Sequence, residues 1–255
     1  NMTPEEKKKY ANKVTILGSI ADALLGILKV IIGKLFYSQA LIIDGIHSFT
    51  DVFSDVFVVI ITKVSHDGPD ENHPYGHEKF ETIGSAALGS LLIATGGALI
   101  FETFKTLWSG ETGPLPGAPT YWAAGISLVV KEGLYHYTYR AGKKLNSKLI
   151  MANAWHSRTD ALSSVVVLIG LIFSGLGYTM VDSFAAVIVS FIIARIGWRF
   201  VKESLSELAE SSVDDKLEKE IEKIILEVEG VESCHALRTR RMGPKVIVDV
   251  NVEVD

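Results

Sequence analysis

The sequence predicts an α-helical membrane protein in which six transmembrane helices are followed by a small, partial α/β domain. Of the 255 residues, 48% are hydrophobic, and the mean hydropathy is positive. The charged residues cluster at intervals and leave apolar stretches of about 20 residues, long enough to cross ~30 Å of hydrocarbon. After Val201 the sequence becomes charged and amphipathic, so we expect a transmembrane domain over 1–210 and a second domain over 211–255.

The six apolar segments are predicted to be helices separated by polar connections. A Gly- and Pro-rich run at 109–119 separates the third segment from the fourth, and a basic stretch at 140–148 follows the fourth. The predicted helices cover about 13–36, 39–63, 81–108, 120–141, 148–173 and 179–205.

The basic residues in these connections predict the orientation. Those at 7–13, 140–148 and 195–202 fall on one side of a six-helix arrangement, whereas the connections at 109–119 and 174–179 contain no Lys or Arg. Basic residues are enriched in cytoplasmic connections. We therefore expect a multi-pass integral membrane protein with both termini in the cytoplasm, in the inner membrane of a bacterial or archaeal cell.

The segment after the sixth helix predicts the α/β domain. Apolar residues recur there at helical spacing, at Ile221, Ile224, Ile225 and Val228. Residues 246–254 alternate between apolar and polar, which is typical of a strand, and a shorter strand is predicted around 234–240. A helix and two strands rarely close a core alone, so we expect further C-terminal sequence or completion by a second subunit.

Charge and cysteine content exclude some functions. The net charge of −5 argues against general nucleic-acid binding. A single cysteine, Cys234, excludes an intramolecular disulfide and any Cys-rich zinc module. No cofactor is predicted.

One eight-residue pattern, H-S-x-T-D-x-x-S, occurs twice inside the apolar segments. It begins at His47 in the second segment and at His156 in the fifth, and an Asp follows each His by four residues, at Asp51 and Asp160. A His and an Asp at this spacing share one helix face. If the two helices face each other, two imidazoles and two carboxylates meet near the bilayer centre, which is a tetrahedral metal-binding set. Hydrogen bonding between helices is the alternative, but the repetition at matching depth favours the metal site.

The types of ligand limit the metals and the reactions that suit this site. Two nitrogen and two carboxylate ligands suit Zn²⁺ and also accept Cd²⁺, Co²⁺, Mn²⁺ or Fe²⁺. Four protein ligands leave no open position, and no H-E-x-x-H motif is present, so we predict binding and release rather than an enzyme. Only neutral imidazole binds metal, so metal and proton compete for His47 and His156, which is a physical basis for metal–proton exchange.

Other charged residues lie inside the apolar segments. Asp44 and Asp55 flank the first copy of the pattern, three residues before its His and four residues after its Asp. Each is interpreted either as a group that supports the ligands or the cation path, or as a hydrogen-bonding link between helices. Lys131 and Glu132, in the fourth segment, are predicted to form a buried charge network, structural in preference to gating.

Together these motifs resemble those of the cation diffusion facilitators, a family of metal–proton antiporters. The resemblance covers nearly the whole chain. It rests on the two H-x-x-x-D pairs and on H-P-Y-G-H-E-K at 73–79, which is similar to the family segment H-x-Y/F-G-H-x-K. The resemblance implies a six-helix transmembrane domain, a cytoplasmic ferredoxin-like α/β domain, a homodimer and alternating access.

Two metal sites are implied by the resemblance. The transport site is implied at His47, Asp51, His156 and Asp160, in the two-His, two-Asp form typical of zinc-preferring members. A second site, in the loop after the second helix, is implied at Asp70, His73 and His77. A solvated His-rich loop is the alternative for this second set.

The resemblance implies two further roles. Lys79 matches a lysine that pairs with an acidic residue at the end of the sixth helix, for which Glu210 is the expected partner. His235 matches a cytoplasmic zinc ligand of some members, but Asn251 stands where the family usually has His. An ordinary surface histidine is therefore the preferred interpretation of His235.

The sequence as a whole thus predicts a homodimeric secondary transporter in the lipid bilayer. It would export Zn²⁺, or a related divalent cation, from the cytoplasm in exchange for protons. The alternative is a non-transporting membrane metal sensor or scaffold, which binds metal without flux.

Overall fold

A computed structural model describes residues 2–35, 39–109, 118–175 and 181–255. Six long helices are followed by a short helix and a two-stranded sheet. Their bounds are α1 Pro4–Leu35, α2 Gln39–Ser65, α3 Lys79–Ser109, α4 Ala118–Leu145, α5 Lys148–Gly175, α6 Val181–Leu208, α7 Asp215–Leu226, β1 Val231–Met242 and β2 Lys245–Val254. The protein is therefore mostly helical, with a small α/β part at its C-terminal end.

Helix α1 begins well before the apolar segment that predicted it. The Thr3 amide donates to Glu6 Oε2 at 2.7 Å, and the Glu6 amide donates to Thr3 Oγ1 at 3.3 Å. This reciprocal pair is a capping box, and Pro4 is well suited to the first helical position. The helix therefore begins at Pro4, before the apolar segment that is predicted to span the membrane from about residue 13, because the cap extends it through the polar, Lys-rich segment.

Helix α1 exposes apolar side chains and buries charged ones. Asp22 and Lys29 are buried, whereas an apolar stripe is exposed at Ile16, Leu17, Ile20, Leu24, Ile27, Leu28 and Ile31. A helix on the surface of a soluble protein has the opposite arrangement. Exposed apolar side chains around buried charged ones are typical of a helix that faces lipid.

Two of the helical segments meet the length and composition needed to cross a membrane. Among the described residues, these are Glu5–Leu35 and Lys79–Lys105. The bulky side chains of Trp108 and Trp122, at the ends of α3 and α4, are also exposed, as is common for Trp at membrane interfaces. That all six helices cross the bilayer stays a prediction.

Helices α3 and α6 pack with their backbones in close contact. A Cβ added at Gly197 would lie 2.5 Å from the Gly89 carbonyl oxygen, and one added at Gly96 would lie 2.8 Å from the Ser190 carbonyl oxygen. Small residues at such positions allow helices in membranes to approach closely. The glycines at this contact therefore allow α3 and α6 to pack tightly against each other.

The chain after α6 forms α7 and an antiparallel hairpin. Glu210, with φ of 60°, lies just beyond the end of α6, and the helix predicted from the spacing of Ile221, Ile224 and Ile225 is α7. The predicted strand at 246–254 is present as β2, and β1 is longer than predicted. Gly243, with φ of 59°, lies in the turn between the two strands.

One buried carboxylate joins this hairpin to the helices. Glu207 Oε1 accepts hydrogen bonds from Thr82 Oγ1 at 2.6 Å and from the Gly243 amide at 2.7 Å. Its Oε2 accepts from Lys148 Nζ at 2.9 Å. Glu207 therefore ties α6 to α3, to α5 and to the β1–β2 turn.

Candidate metal centre

The two H-x-x-x-D helices approach each other in the interior of the helical part. Asp51 on α2 and His156 on α5 are both buried, and Asp51 Oδ1 lies 3.5 Å from His156 Nε2. Asp160 lies one turn further along α5 and is linked to Asp51 through Lys131. The structure thus brings together three of the four predicted transport ligands.

The fourth predicted ligand, His47, lies on α2 within a described helix, but its side chain is outside the described residues. The same holds for Asp44. Their roles stay predictions.

The centre of this cluster is occupied by the side chain of Lys131. Its Nζ lies 2.7 Å from Asp22 Oδ1, 2.8 Å from Asp51 Oδ2 and 3.0 Å from Asp160 Oδ2. The three carboxylates come from α1, α2 and α5, and Lys131 itself comes from α4. The ammonium group of Lys131 therefore links α4 to α1, α2 and α5.

The cluster carries excess negative charge. In their ionised forms, the three carboxylates and one ammonium group have a formal net charge of −2. Lys131 is 2% exposed and Asp22 is 1% exposed, so little water compensates this charge. An excess of buried negative charge favours the binding of a further cation or of a proton.

Lys131 and Glu132 belong to different networks, which corrects the prediction that they form one. Glu132 Oε1 lies 2.9 Å from Arg158 Nη2 and 3.2 Å from His136 Nε2, at a part-exposed position. Adjacent residues on a helix point in different directions, so only Lys131 turns toward the bundle interior.

A second polar contact lies one turn from Asp51. Asp55 Oδ1 accepts a hydrogen bond from Asn153 Nδ2 at 2.8 Å, and both residues are buried. Asp55 follows Asp51 by four residues, and Asn153 precedes His156 by three. The antiparallel helices α2 and α5 therefore carry two successive polar contacts.

Sequence reasoning missed Asp22 and Asn153 as members of this region. An aspartate in the middle of the first apolar segment was a usable signal, because an acid at that depth requires a partner. Asn153 shares a helix face with His156, which was a weaker signal.

The loop between α2 and α3 brings its three predicted ligands together. His73 Nδ1 and His77 Nε2 each lie 3.3 Å from a different oxygen of Asp70. One ligand atom from each of the three residues lies within 4.8 Å of the others, the only such group found in the described part of the chain. His77 Nδ1 contacts the Gly68 carbonyl oxygen at 3.1 Å, which leaves Nε2 available as a metal ligand.

The ionised form of Asp70 is stabilised locally. Its Oδ1 accepts hydrogen bonds from the backbone amides of His73 and Asn72, and these contacts lower the pKa of the Asp70 carboxyl group. A carboxylate that stays ionised beside two imidazoles is suited to a zinc-type cation. That this loop binds metal stays a prediction.

His235 lies on an exposed edge of the hairpin. Its Nε2 is 3.0 Å from Ser233 Oγ and 3.7 Å from Glu253 Oε2, and Asn251 is its partner in the strand register. A metal-binding role for His235 stays a prediction.

Lys79 contacts the acidic residue expected from the sequence. Lys79 Nζ lies 3.0 Å from Glu210 Oε1, and Arg240 lies 3.5 Å from the other oxygen of Glu210. The hydrogen bond from Lys79 holds the pKa of Glu210 below its usual value. The pair links the start of α3 to the end of α6.

Known protein families match almost the whole chain. Residues 15–209 match the cation efflux transmembrane domain, and residues 213–255 match the cation efflux protein cytoplasmic domain. The second family is named as a dimer domain. The first match alone covers more than half of the chain, and it is a match to membrane transport proteins rather than to enzymes.

Individual relatives agree with this match. Metal tolerance protein C1 of Arabidopsis thaliana is 36% identical over 99% of this chain, which spans 58% of that protein's length. An uncharacterised transporter of Methanocaldococcus jannaschii is 37% identical over 96% of this chain and over 87% of the transporter's own length. The manganese efflux system protein MneP of Bacillus subtilis is 32% identical over 98% of this chain and 86% of its own. The chain therefore belongs to the cation efflux family, the cation diffusion facilitators, and is a membrane protein.

Proposed function

We propose that this chain is a secondary active transporter that exports a divalent cation, Zn²⁺ or a related metal, from the cytoplasm in exchange for protons. The observation that carries the proposal is the buried approach of Asp51 to His156, at 3.5 Å, between two antiparallel helices of a cation efflux protein. Ionisable groups are costly inside a membrane domain and commonly mark the path of an ion.

The proposed transport ligands are the side chains of His47, Asp51, His156 and Asp160. Imidazole nitrogen favours zinc and other transition metals over Ca²⁺ and Mg²⁺, which supports Zn²⁺ as the cargo. The name of the Bacillus relative makes Mn²⁺ the main competing cargo. Metal selectivity is therefore part of the test.

The protein groups suggest how metal and proton exchange. Metal entering from the cytoplasm first meets Asp55, which is held by Asn153, and then reaches Asp51 and His156. A proton that binds the His156 imidazole removes its lone pair, so protonation on the outer side favours release of the metal. Rocking of the helices around this fixed site would give alternating access.

The orientation and assembly form part of the proposal. The match of residues 213–255 to a cytoplasmic dimer domain supports cytoplasmic termini and a homodimer in the bilayer. We propose a transmembrane domain over 1–210 and a cytoplasmic domain over 211–255, with the Asp70, His73 and His77 loop as a second metal site.

The test is metal uptake into proteoliposomes under an imposed pH gradient. Uptake of Zn²⁺ and of Mn²⁺ is compared for wild type, Asp51→Asn and Asp160→Asn, with the exposed Asp249→Asn on β2 as the matched control. We expect gradient-driven uptake in wild type and in the control, and its loss in both site variants.

Two results would contradict the proposal. Metal binding without uptake in wild type would favour the sensor or scaffold. Uptake that is independent of the pH gradient would exclude exchange with protons.

A further inference from the structure

Lys131 lies where a cation bound to Asp51 and Asp160 would lie. We propose that its ammonium group is a tethered competitor of the transported metal, which leaves these two carboxylates when the metal arrives. The inference deepens the proposed transport function and rests on it. Its basis is the contact of Nζ with Asp51 Oδ2 at 2.8 Å and with Asp160 Oδ2 at 3.0 Å.

The geometry around Nζ is that of a bound cation. Three carboxylates from three helices surround the ammonium group at 2.7–3.0 Å, and two of them, Asp51 and Asp160, accept hydrogen bonds from it. A zinc ion on the same two aspartates would take carboxylate oxygens at about 2.0–2.2 Å. Its position would therefore nearly coincide with that of Nζ, and two cations that close repel each other strongly. Metal and ammonium cannot both occupy the site.

The spacing of the ligands agrees with this competition. Among the described His, Asp and Glu side chains, only the loop residues form a group of three whose donor atoms all lie within 4.8 Å of one another. Asp51 and His156 are 3.5 Å apart, but together with Asp160 they do not form such a group, and Nζ lies between the two carboxylates. The ammonium group thus lies at the position of the metal, and the ligands would move closer together when a metal replaces it.

Asp22 gives Lys131 an alternative partner. It lies on α1, is 1% exposed and contacts Nζ at 2.7 Å, yet it is outside the proposed ligand set. Lysine carries its charge on a flexible four-carbon stem. The ammonium group can therefore release Asp51 and Asp160 while it keeps Asp22, without movement of α4.

A purely structural role for Lys131 predicts different behaviour. If the lysine only holds four helices together, loss of either Lys131 or Asp22 loosens the cluster and weakens metal binding. If it competes with metal, Lys131→Met tightens binding because the competitor is gone. Asp22→Asn then weakens binding, because the ammonium loses its alternative partner and stays on Asp51 and Asp160. The two variants therefore change affinity in opposite directions under competition, but in the same direction if Lys131 has a purely structural role.

The experiment is Zn²⁺ titration calorimetry on the full chain in lipid nanodiscs at pH 8. All proteins carry His77→Ala, so that the loop site does not contribute. We expect a Kd at least about tenfold lower for Lys131→Met and about tenfold higher for Asp22→Asn. Lys148→Met is the matched control, because this lysine pairs with Glu207 at 2.9 Å outside the cluster, and we expect it to leave Kd unchanged.

The transport rate gives a second readout. Tighter binding slows dissociation, so Lys131→Met should transport fewer ions per second than wild type at saturating Zn²⁺. Equal or weaker Zn²⁺ affinity in Lys131→Met would overturn the inference and leave the proposed function standing. Wild type that binds neither Zn²⁺ nor Mn²⁺, or binds the metal equally well after Asp51→Asn, would instead overturn the proposed function.

A metal-bound structure of wild type keeps the inference testable if Lys131→Met does not fold. We expect Nζ to contact Asp22 but to lie beyond hydrogen-bond distance of Asp51 and Asp160. Persistence of the Asp51 and Asp160 contacts beside a bound Zn²⁺ would refute the competition.

Discussion

Replacing Gly197 by Ala is expected to force α3 and α6 apart. The new Cβ would lie 2.5 Å from the Gly89 carbonyl oxygen and 2.9 Å from the Ile93 amide nitrogen, whereas ordinary contact begins at 3.4 Å. Both obstructing atoms belong to the backbone, so a change of side-chain rotamer gives no relief. The helices must separate by up to about 0.9 Å, in an interior that is closely packed.

The expected magnitude is the overpacking cost less the helix-propensity gain. Overpacking costs about 1–3 kcal/mol, and Ala gains up to about 1 kcal/mol over Gly inside a helix. The net cost is therefore about 0–2 kcal/mol, and with a shift of about 2–4 °C per kcal/mol for a chain of this size the apparent melting temperature should fall by up to about 8 °C. Relative to a Gly→Ala variant that has the same propensity gain without overpacking, the fall should be about 2–12 °C.

The assay is thermal unfolding in detergent, followed by the monodisperse fraction on size-exclusion chromatography. Gly133→Ala on α4 is the matched control, because nothing lies within 4 Å of its added Cβ. The control should melt at or slightly above the wild-type temperature. A Gly197→Ala protein as stable as the control would refute the reasoning.

Three further predictions concern the ends of the helices. Glu207→Ala removes the acceptor of the Gly243 amide, a charged hydrogen bond worth about 1.5–3 kcal/mol, so hydrogen exchange at the β1–β2 turn should accelerate by about 10- to 100-fold. His77→Ala should remove one bound Zn²⁺ per chain, counted by elemental analysis after dialysis, because it deletes a nitrogen that faces Asp70. Lys79→Gln should lower the melting temperature only slightly, because its pair with Glu210 is exposed. Lys79 depresses the pKa of Glu210, so this small difference is present above the ordinary value of 4.5 and disappears as pH falls through the depressed value.

Each of these predictions has a control and a contrary outcome. Glu203→Ala, one turn earlier on α6 and exposed, should leave exchange at the turn unchanged; equal acceleration in both variants would contradict the role of Glu207. His136→Ala, at an exposed position on α4, should leave the metal count unchanged, and a count unaltered by His77→Ala would exclude the loop site. A Lys79→Gln effect that persists in acid would show that the pair with Glu210 is not its cause.

Much of the helical part could be predicted because long apolar runs have few alternatives in a membrane. The fixed period of a helix predicted that each His and its Asp share one face, and the repetition of the pattern at matching depth predicted that the two faces meet. The capping box at Thr3 and Glu6 is visible in the sequence, but an apolar segment alone does not include the polar first turns of α1.

The partners of Lys131 could not be predicted in the same way. Periodicity gives the face on which a residue lies but not the helix that packs against that face. The contact between Lys131 and Asp22 depends on α1 lying beside α4, which is a property of the assembled bundle. Likewise, the hydrogen bond from Asn153 to Asp55 could not be predicted, because it depends on the packing of α5 against α2.

The contacts of Lys131 also have a consequence for biosynthesis. Helices α1 and α2 leave the ribosome before α4, so Asp22 and Asp51 are made before the ammonium group that neutralises them. Until then, each aspartate at the centre of a helix costs about 2.5–3.5 kcal/mol on insertion. We expect a nascent chain that ends after α3 to be integrated less completely than one that ends after α5, as measured by carbonate extraction. Equal integration of the two chains would show that the early helices do not depend on the later lysine.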